Sequence, residues 1–114
     1  MNQRSEYTAR INRVIDHIER NLQGELPLDE LAKVANFSRF HFHRIFGAMV
    51  GESLNQFIQR IRLEKAASQL TEYFHKPITN IALDCGFSSS AAFARAFKQR
   101  FQMSASIWRE QKRG

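Results

Sequence analysis

Residues 78–101 read ITNIALDCGFSSSAAFARAFKQRF, and residues 28–54 read LDELAKVANFSRFHFHRIFGAMVGESL. Superposed, they are two versions of one pattern. Leu28, Leu31, Ala32, Ala35, Asn36, Phe37 and Ser38 return fifty positions later as Ile78, Ile81, Ala82, Cys85, Gly86, Phe87 and Ser88. Phe42, Arg44, Phe46 and Ser53 return fifty-one positions later as Phe93, Arg95, Phe97 and Ser104, so the second copy holds one extra residue among Ser88, Ser89 and Ser90. A period of this length marks a duplicated supersecondary unit. In each copy the spacing predicts a short helix, a tight turn at a residue that tolerates left-handed backbone (Asn36, Gly86), and a longer helix. That is the helix-turn-helix layout, whose second helix enters a DNA major groove.

Working outward, Tyr7, Ile11, Val14, Ile15, Ile18 and Leu22 recur at three- and four-residue steps, with Arg10, Arg13, Asp16 and Glu19 between them. They predict an amphipathic helix that ends before Gly24. Pro27 opens the short helix of the first copy, and Ser38 caps its longer one, whose apolar face is Phe42, Ile45, Phe46 and Met49 and which Gly51 ends. Ser53 with Gln56 is a capping box that starts a long helix from Leu54 to about Tyr73. Pro77 stops the region after it. Ile78 to Asp84, a helix with Phe93, Phe97 and Phe101 inward, and a last helix from Ser104 through Trp108 complete the chain. The expectation is an all-α fold of about seven helices: a first helix-turn-helix subdomain over residues 1–51, a linker helix region over 52–76, and a second subdomain over 77–114.

The 114 residues, 43% hydrophobic and 25% charged, suit a small globular protein. Lys+Arg 17 against Asp+Glu 11 gives a formal charge of +6, which directs attention to polyanions and away from cationic ligands. The excess lies late in the chain: residues 1–36 carry five bases and six acids, and residues 37–114 carry twelve bases and five acids. A lone cysteine, Cys85, excludes an internal disulfide and a Cys-rich zinc site. No apolar run reaches the ~18 residues of a membrane span, and the polar start lacks the apolar stretch of a signal peptide. These features predict a cytoplasmic protein with no membrane partner. A Gly-rich phosphate loop, a His-Glu-x-x-His pair and a nucleophile beside a base are all missing, so no enzyme, cofactor or metal is expected.

The segments 28–54, RIRLEKAASQL (60–70) and 78–101, above all Ile-Ala…Gly-Phe…Phe-x-Arg-x-Phe-Lys, closely resemble the signature of the AraC/XylS-type transcription regulators. The resemblance runs from about Ile11 to Arg109. It implies two helix-turn-helix units joined by a long helix, binding as a monomer to an asymmetric double-stranded DNA site, with contact to RNA polymerase near a promoter. The HFHR run at 41–44 is similar to a subgroup that carries a gyrase-inhibitor-like effector domain. That points either to a fragment of a longer ligand-sensing regulator or to a stand-alone activator of the MarA, SoxS and Rob kind. Where the family has Gly-x-Thr/Ser-Pro near its end, this chain has Gln102, Met103, Ser104 and Ala105, which weakens the stop signal and keeps the cap.

Helical angles of 100° per residue turn Phe40, His43 and Arg44 away from the first core, and Ala91, Ala92, Arg95 and Gln99 away from the second. Arg44 and Arg95 suit a guanine edge, His43 a base or phosphate, and Phe40 a thymine methyl. The alanines offer shape only, so the first unit is expected to discriminate more. Phosphate contacts are expected from Arg39, Lys98, Arg100 and the helix starts at Ser38, Ser53 and Ser89. The bland readings are clear for the rest. His41 and His43 diverge by ~200° on a helix, so no shared metal is expected, Cys85 is expected to be a small space-filler rather than a redox sensor, and the phenylalanine stripes to be core.

Overall fold

A computed structural model describes residues 2–113. Among them are seven helices: α1 (Gln3–Arg20), α2 (Leu28–Val34), α3 (Arg39–Val50), α4 (Leu54–Glu72), α5 (Ile78–Asp84), α6 (Ser90–Phe101) and α7 (Ala105–Arg113). The all-α expectation holds. Contacts divide the chain into two units, with the boundary inside α4 between Gln59 and Arg60.

The first unit closes around an apolar core. Ile11, Val14 and Ile18 of α1 meet Leu31 and Ala32 of α2 and Phe42 and Phe46 of α3, all at most 3% exposed. Phe46 lies 5.5 Å from Phe57, in the first turns of α4. The helix starts are made as the sequence predicts. Ser38 Oγ accepts the His41 N–H at 3.3 Å. Ser53 and Gln56 form the reciprocal capping box: the Ser53 N–H donates to Gln56 Oε1 at 2.9 Å, and the Gln56 N–H to Ser53 Oγ at 3.2 Å. A side-chain cap of this kind contributes about 1 kcal/mol. Asn36 takes the left-handed turn position at φ 60, and Gly51 ends α3 at φ 88.

One expectation is met here and one corrected. α1 ends before Gly24, at Arg20, where Asn21 bonds back to the Ile18 carbonyl and, through its side chain, to that of His17. Leu22 is nonetheless buried, from the turn that follows. On α3, Ile45 is only half-buried and Met49 is 39% exposed. The inward stripe is the Phe42/Phe46 pair, and one turn further on the helix has run past the core that those rings fill.

The second unit is built on the same plan. Leu63, Ala66, Ala67 and Leu70 of α4 pack with Ile81 and Ala82 of α5 and with Phe93 and Phe97 of α6. Cys85, the expected space-filler, is fully buried among them. The extra residue of the second copy is Ser88, since the cap of α6 is Ser89, accepting the Ala92 N–H at 3.1 Å. Gly86 has φ 98 at the place of Asn36, and Gln102 holds the left-handed position that ends α6 at φ 62. Glycine is thus not required there: the Gln102 amide side chain donates to the Gln99 carbonyl at 2.7 Å and helps close the turn. α7 runs to Arg113, beyond the expected Trp108. Among the described residues no helix is long and apolar enough to cross a membrane.

Candidate nucleic-acid interface

In the first unit the expected reading residues come together. Phe40 is 82% exposed, and His43 and Arg44 are exposed beside it on α3. With Arg39 and the half-buried Leu28 they line an open hollow of about 320 Å³. Its walls are apolar, from Leu28, the Phe40 ring and the arginine stems, and its rim carries the guanidinium and imidazole groups. Such a surface combines a methyl-sized apolar contact with donors for a base edge. Arg39 pairs with Asp29 at 3.3 Å, both side chains being well exposed. A pair this exposed contributes little, so the guanidinium can exchange the carboxylate for a phosphate at small cost.

In the second unit Ala91, Arg95 and Gln99 follow one another at four-residue steps along the exposed face of α6, with Ala92 half-buried beside them. Arg95 is the charged side chain of that set, and Gln99 its second hydrogen-bonding one. Lys98 and Arg100 are exposed at the end of the helix; Arg100 reaches Glu64 at 3.5 Å, an ion pair with both members half out in water. The Oγ atoms of Ser38 and Ser89 are occupied in their caps as acceptors, leaving each hydroxyl proton to donate. Ser53 is half-buried and has its N–H already bound to Gln56, so it offers a phosphate less than the other two serines.

Two residues carry more than their sequence positions suggest. Arg10 reads in the sequence as one charge on the wet face of α1. In the structure it bonds the Asn36 carbonyl at 3.1 Å and lies 4.9 Å from the centre of the Phe37 ring. Arg109 bonds the carbonyls of Leu70, Tyr73 and Lys76 at 2.9, 3.3 and 2.8 Å, and so closes the C-terminal end of α4. Neither partner set lies within helical spacing in the chain, so periodicity could not reveal them. Among the described residues no group of three or more His, Cys, Asp and Glu side chains is placed to hold a metal ion.

A family model described as a helix-turn-helix domain matches residues 31–111. The chain is 37% identical over 103 residues to an uncharacterized HTH-type transcriptional regulator, YbfP, of Bacillus subtilis, covering 90% of this chain and 35% of that protein. It is 39% identical over 89 residues to an uncharacterized HTH-type transcriptional regulator of Staphylococcus aureus, covering 78% of this chain and 12% of that one. The chain therefore spans about a third of the length of the first relative and about an eighth of the second. Among solved structures, an AraC-type transcriptional regulator from Chromobacterium violaceum superposes with a TM-score of 0.83 at 27% identity, over 91% of this chain and 92% of its own. The DNA-binding domain of AdpA, a global transcriptional factor solved in complex with a target DNA, superposes with a TM-score of 0.83 at 25% identity, over 91% and 93%.

Proposed function

The chain belongs to the helix-turn-helix domain family, and from that premise we propose that it is a sequence-specific, DNA-binding transcription regulator of the AraC/XylS type, acting in the bacterial cytoplasm. The observation that carries the reading is the placement of Arg44 and Arg95. The two arginines occupy the same position in the duplicated motif, each exposed on the outward face of the second helix of its helix-turn-helix. A lone exposed arginine is ordinary, but one repeated at the reading position of both copies is what a duplicated base-reading helix requires.

In this reading α3 lies in one major-groove segment and presents Phe40, His43 and Arg44 to base edges. Helix α6 lies in the next segment and presents Ala91, Ala92, Arg95 and Gln99. Arg39, Lys98 and Arg100, with Ser38, Ser53 and Ser89 at the helix starts, hold the phosphates. Two unlike reading faces on one chain favour a monomer on an asymmetric site. Contact with RNA polymerase, and activation as the outcome, rest on the family resemblance.

Selection of binding sites from a random duplex pool tests the proposal: a single enriched motif supports it, and salt-sensitive binding without sequence preference overturns it. A second reading is favoured by the share of the relatives that the chain covers, 35% and 12% of their lengths. There the domain supplies DNA binding to a longer, ligand-sensing regulator, and the HFHR resemblance points to an effector domain of the gyrase-inhibitor-like kind. The two readings differ in whether the 114-residue chain alone alters transcription from a promoter carrying the selected site.

A further inference from the structure

We propose that Arg10, outside the helix-turn-helix itself, is a positioning residue that sets the angle at which α3 meets DNA. The inference rests on the reading of α3 as a recognition helix.

The amides of the α2–α3 turn are tied back to α2: the Asn36 N–H donates to the Lys33 carbonyl at 3.0 Å and the Phe37 N–H to the Ala32 carbonyl at 3.0 Å. The Asn36 carbonyl is tied instead to α1, through Arg10 Nη1 at 3.1 Å. Asn36 is the left-handed residue of the turn, and its carbonyl shares a peptide plane with the Phe37 N–H, so Arg10 and Ala32 hold the two edges of the plane from which Phe37 and the Ser38 cap depart. The other nitrogen of the fork, Nη2, is held by Glu6 at 2.6 Å, one helical turn earlier. The guanidinium carbon lies over the Phe37 ring, 4.9 Å from its centre, and that ring's neighbours are Tyr7 at 4.9 Å and His41 at 5.1 Å. Arg10 thus joins α1 to the turn, and through the Phe37 ring to His41 in the first turn of α3. A lysine could offer the charge but not two fixed donors and a stacking plane together.

The leverage falls on the first turn of α3. Phe42 and Phe46 hold the helix to the core, whereas Arg39 and Phe40 have no buried anchor. Phe40 stands six residues before Phe46, about 9 Å along the axis at 1.5 Å per residue, so a 10° tilt about that anchor displaces it by about 1.6 Å. Productive base reading tolerates only about 0.5 Å. The second unit offers a parallel: aligning Leu63, Ala66 and Leu70 of α4 with Ile11, Val14 and Ile18 of α1, all buried, puts the half-buried Arg62 at the place of Arg10.

The test uses the full chain and its selected site. For wild type, Arg10→Met and Arg10→Lys, one measures the ratio of affinity for the selected site to that for random duplex, together with Tm. Because both affinities scale with the folded fraction, a purely structural role lowers Tm and leaves the ratio alone. The expected result is a ratio about fivefold lower for Arg10→Met, with lost preference confined to the base pairs that Phe40→Ala or Arg44→Ala also releases, and incomplete rescue by lysine. An unchanged ratio, or equal loss at the base pairs that Arg95→Ala releases, overturns the inference. If Arg10→Met does not fold, Glu6→Gln, which frees the fork but keeps the arginine, is expected to lower the ratio about twofold, and an unchanged ratio overturns the inference equally. Failure of the wild type to select any motif overturns the recognition-helix reading instead, so the two failures are told apart.

Discussion

Arg44 and Lys98 are both exposed cations on the second helix of a helix-turn-helix, yet they should fail differently. A guanidinium seated on a guanine edge is worth about 1–3 kcal/mol of discrimination, so Arg44→Ala should flatten the preference at one base pair. Lys98→Ala should weaken all sequences alike and make the salt slope shallower by about one. Competition binding over a panel of single-base site variants at two salt concentrations separates these outcomes. In the second unit, Arg95→Ala should change the preference more than Gln99→Ala, and the reverse order would contradict the role given to Arg95. Cys85 tests the core at the same scale. Desolvation by burial raises its thiol pKa, with Asp84 adding to the rise and Lys65 and Lys76 opposing it. A folded-state pKa above the unfolded one means that the proton is bound more tightly in the native state. The stabilisation is therefore complete below the thiol's ordinary range and lost as pH rises through the folded value. A thiol reagent at neutral pH should label Cys85 only as fast as the second unit opens.

At the level of helices and turns, the left-handed positions give paired predictions of opposite sign. Gly86→Ala puts a Cβ at φ 98 and should cost about 1–2 kcal/mol. Gln102→Gly relieves the same kind of strain at φ 62 and loses an exposed side-chain bond, so it should be neutral or raise Tm slightly. Arg109→Ala strips the Leu70 carbonyl of α4 and the Tyr73 and Lys76 carbonyls of the turn after it of a charged donor and should cost about 1.5–3 kcal/mol, read by urea denaturation. Element order was legible in the sequence because the duplicated spacing, the capping serines and Pro77 each mark a boundary by local chemistry. α5 and α6 accordingly fall where their caps put them. Met49 was not legible: helical angle alone sends it inward, and only the position where the Phe42 and Phe46 rings end the core leaves it outside. Arg10 and Arg109 were hidden for the same reason, since their partners are carbonyls brought near by tertiary packing. On the candidate interface, exposure of the reading residues followed from the angles, while the hollow beside Leu28 needed α2 and α3 together.

For the whole molecule the electrostatics give one more expectation. Arg39, Lys98 and Arg100 as three phosphate contacts would give a log–log salt slope of about −2.7 and roughly fortyfold weaker binding between 50 and 200 mM salt. Fluorescence anisotropy with a labelled duplex measures it, and a slope near zero would remove the cations from the interface. The duplication has a last consequence. The copies have diverged, with Phe40, His43 and Arg44 on one side and Ala91, Ala92, Arg95 and Gln99 on the other, and an added Ser88 in the second turn. A molecule with unlike ends reads its site as an arrow. Reversing the cognate sequence within a promoter would leave its affinity intact and seat the protein facing backwards, so the same address, turned around, would no longer deliver the same instruction.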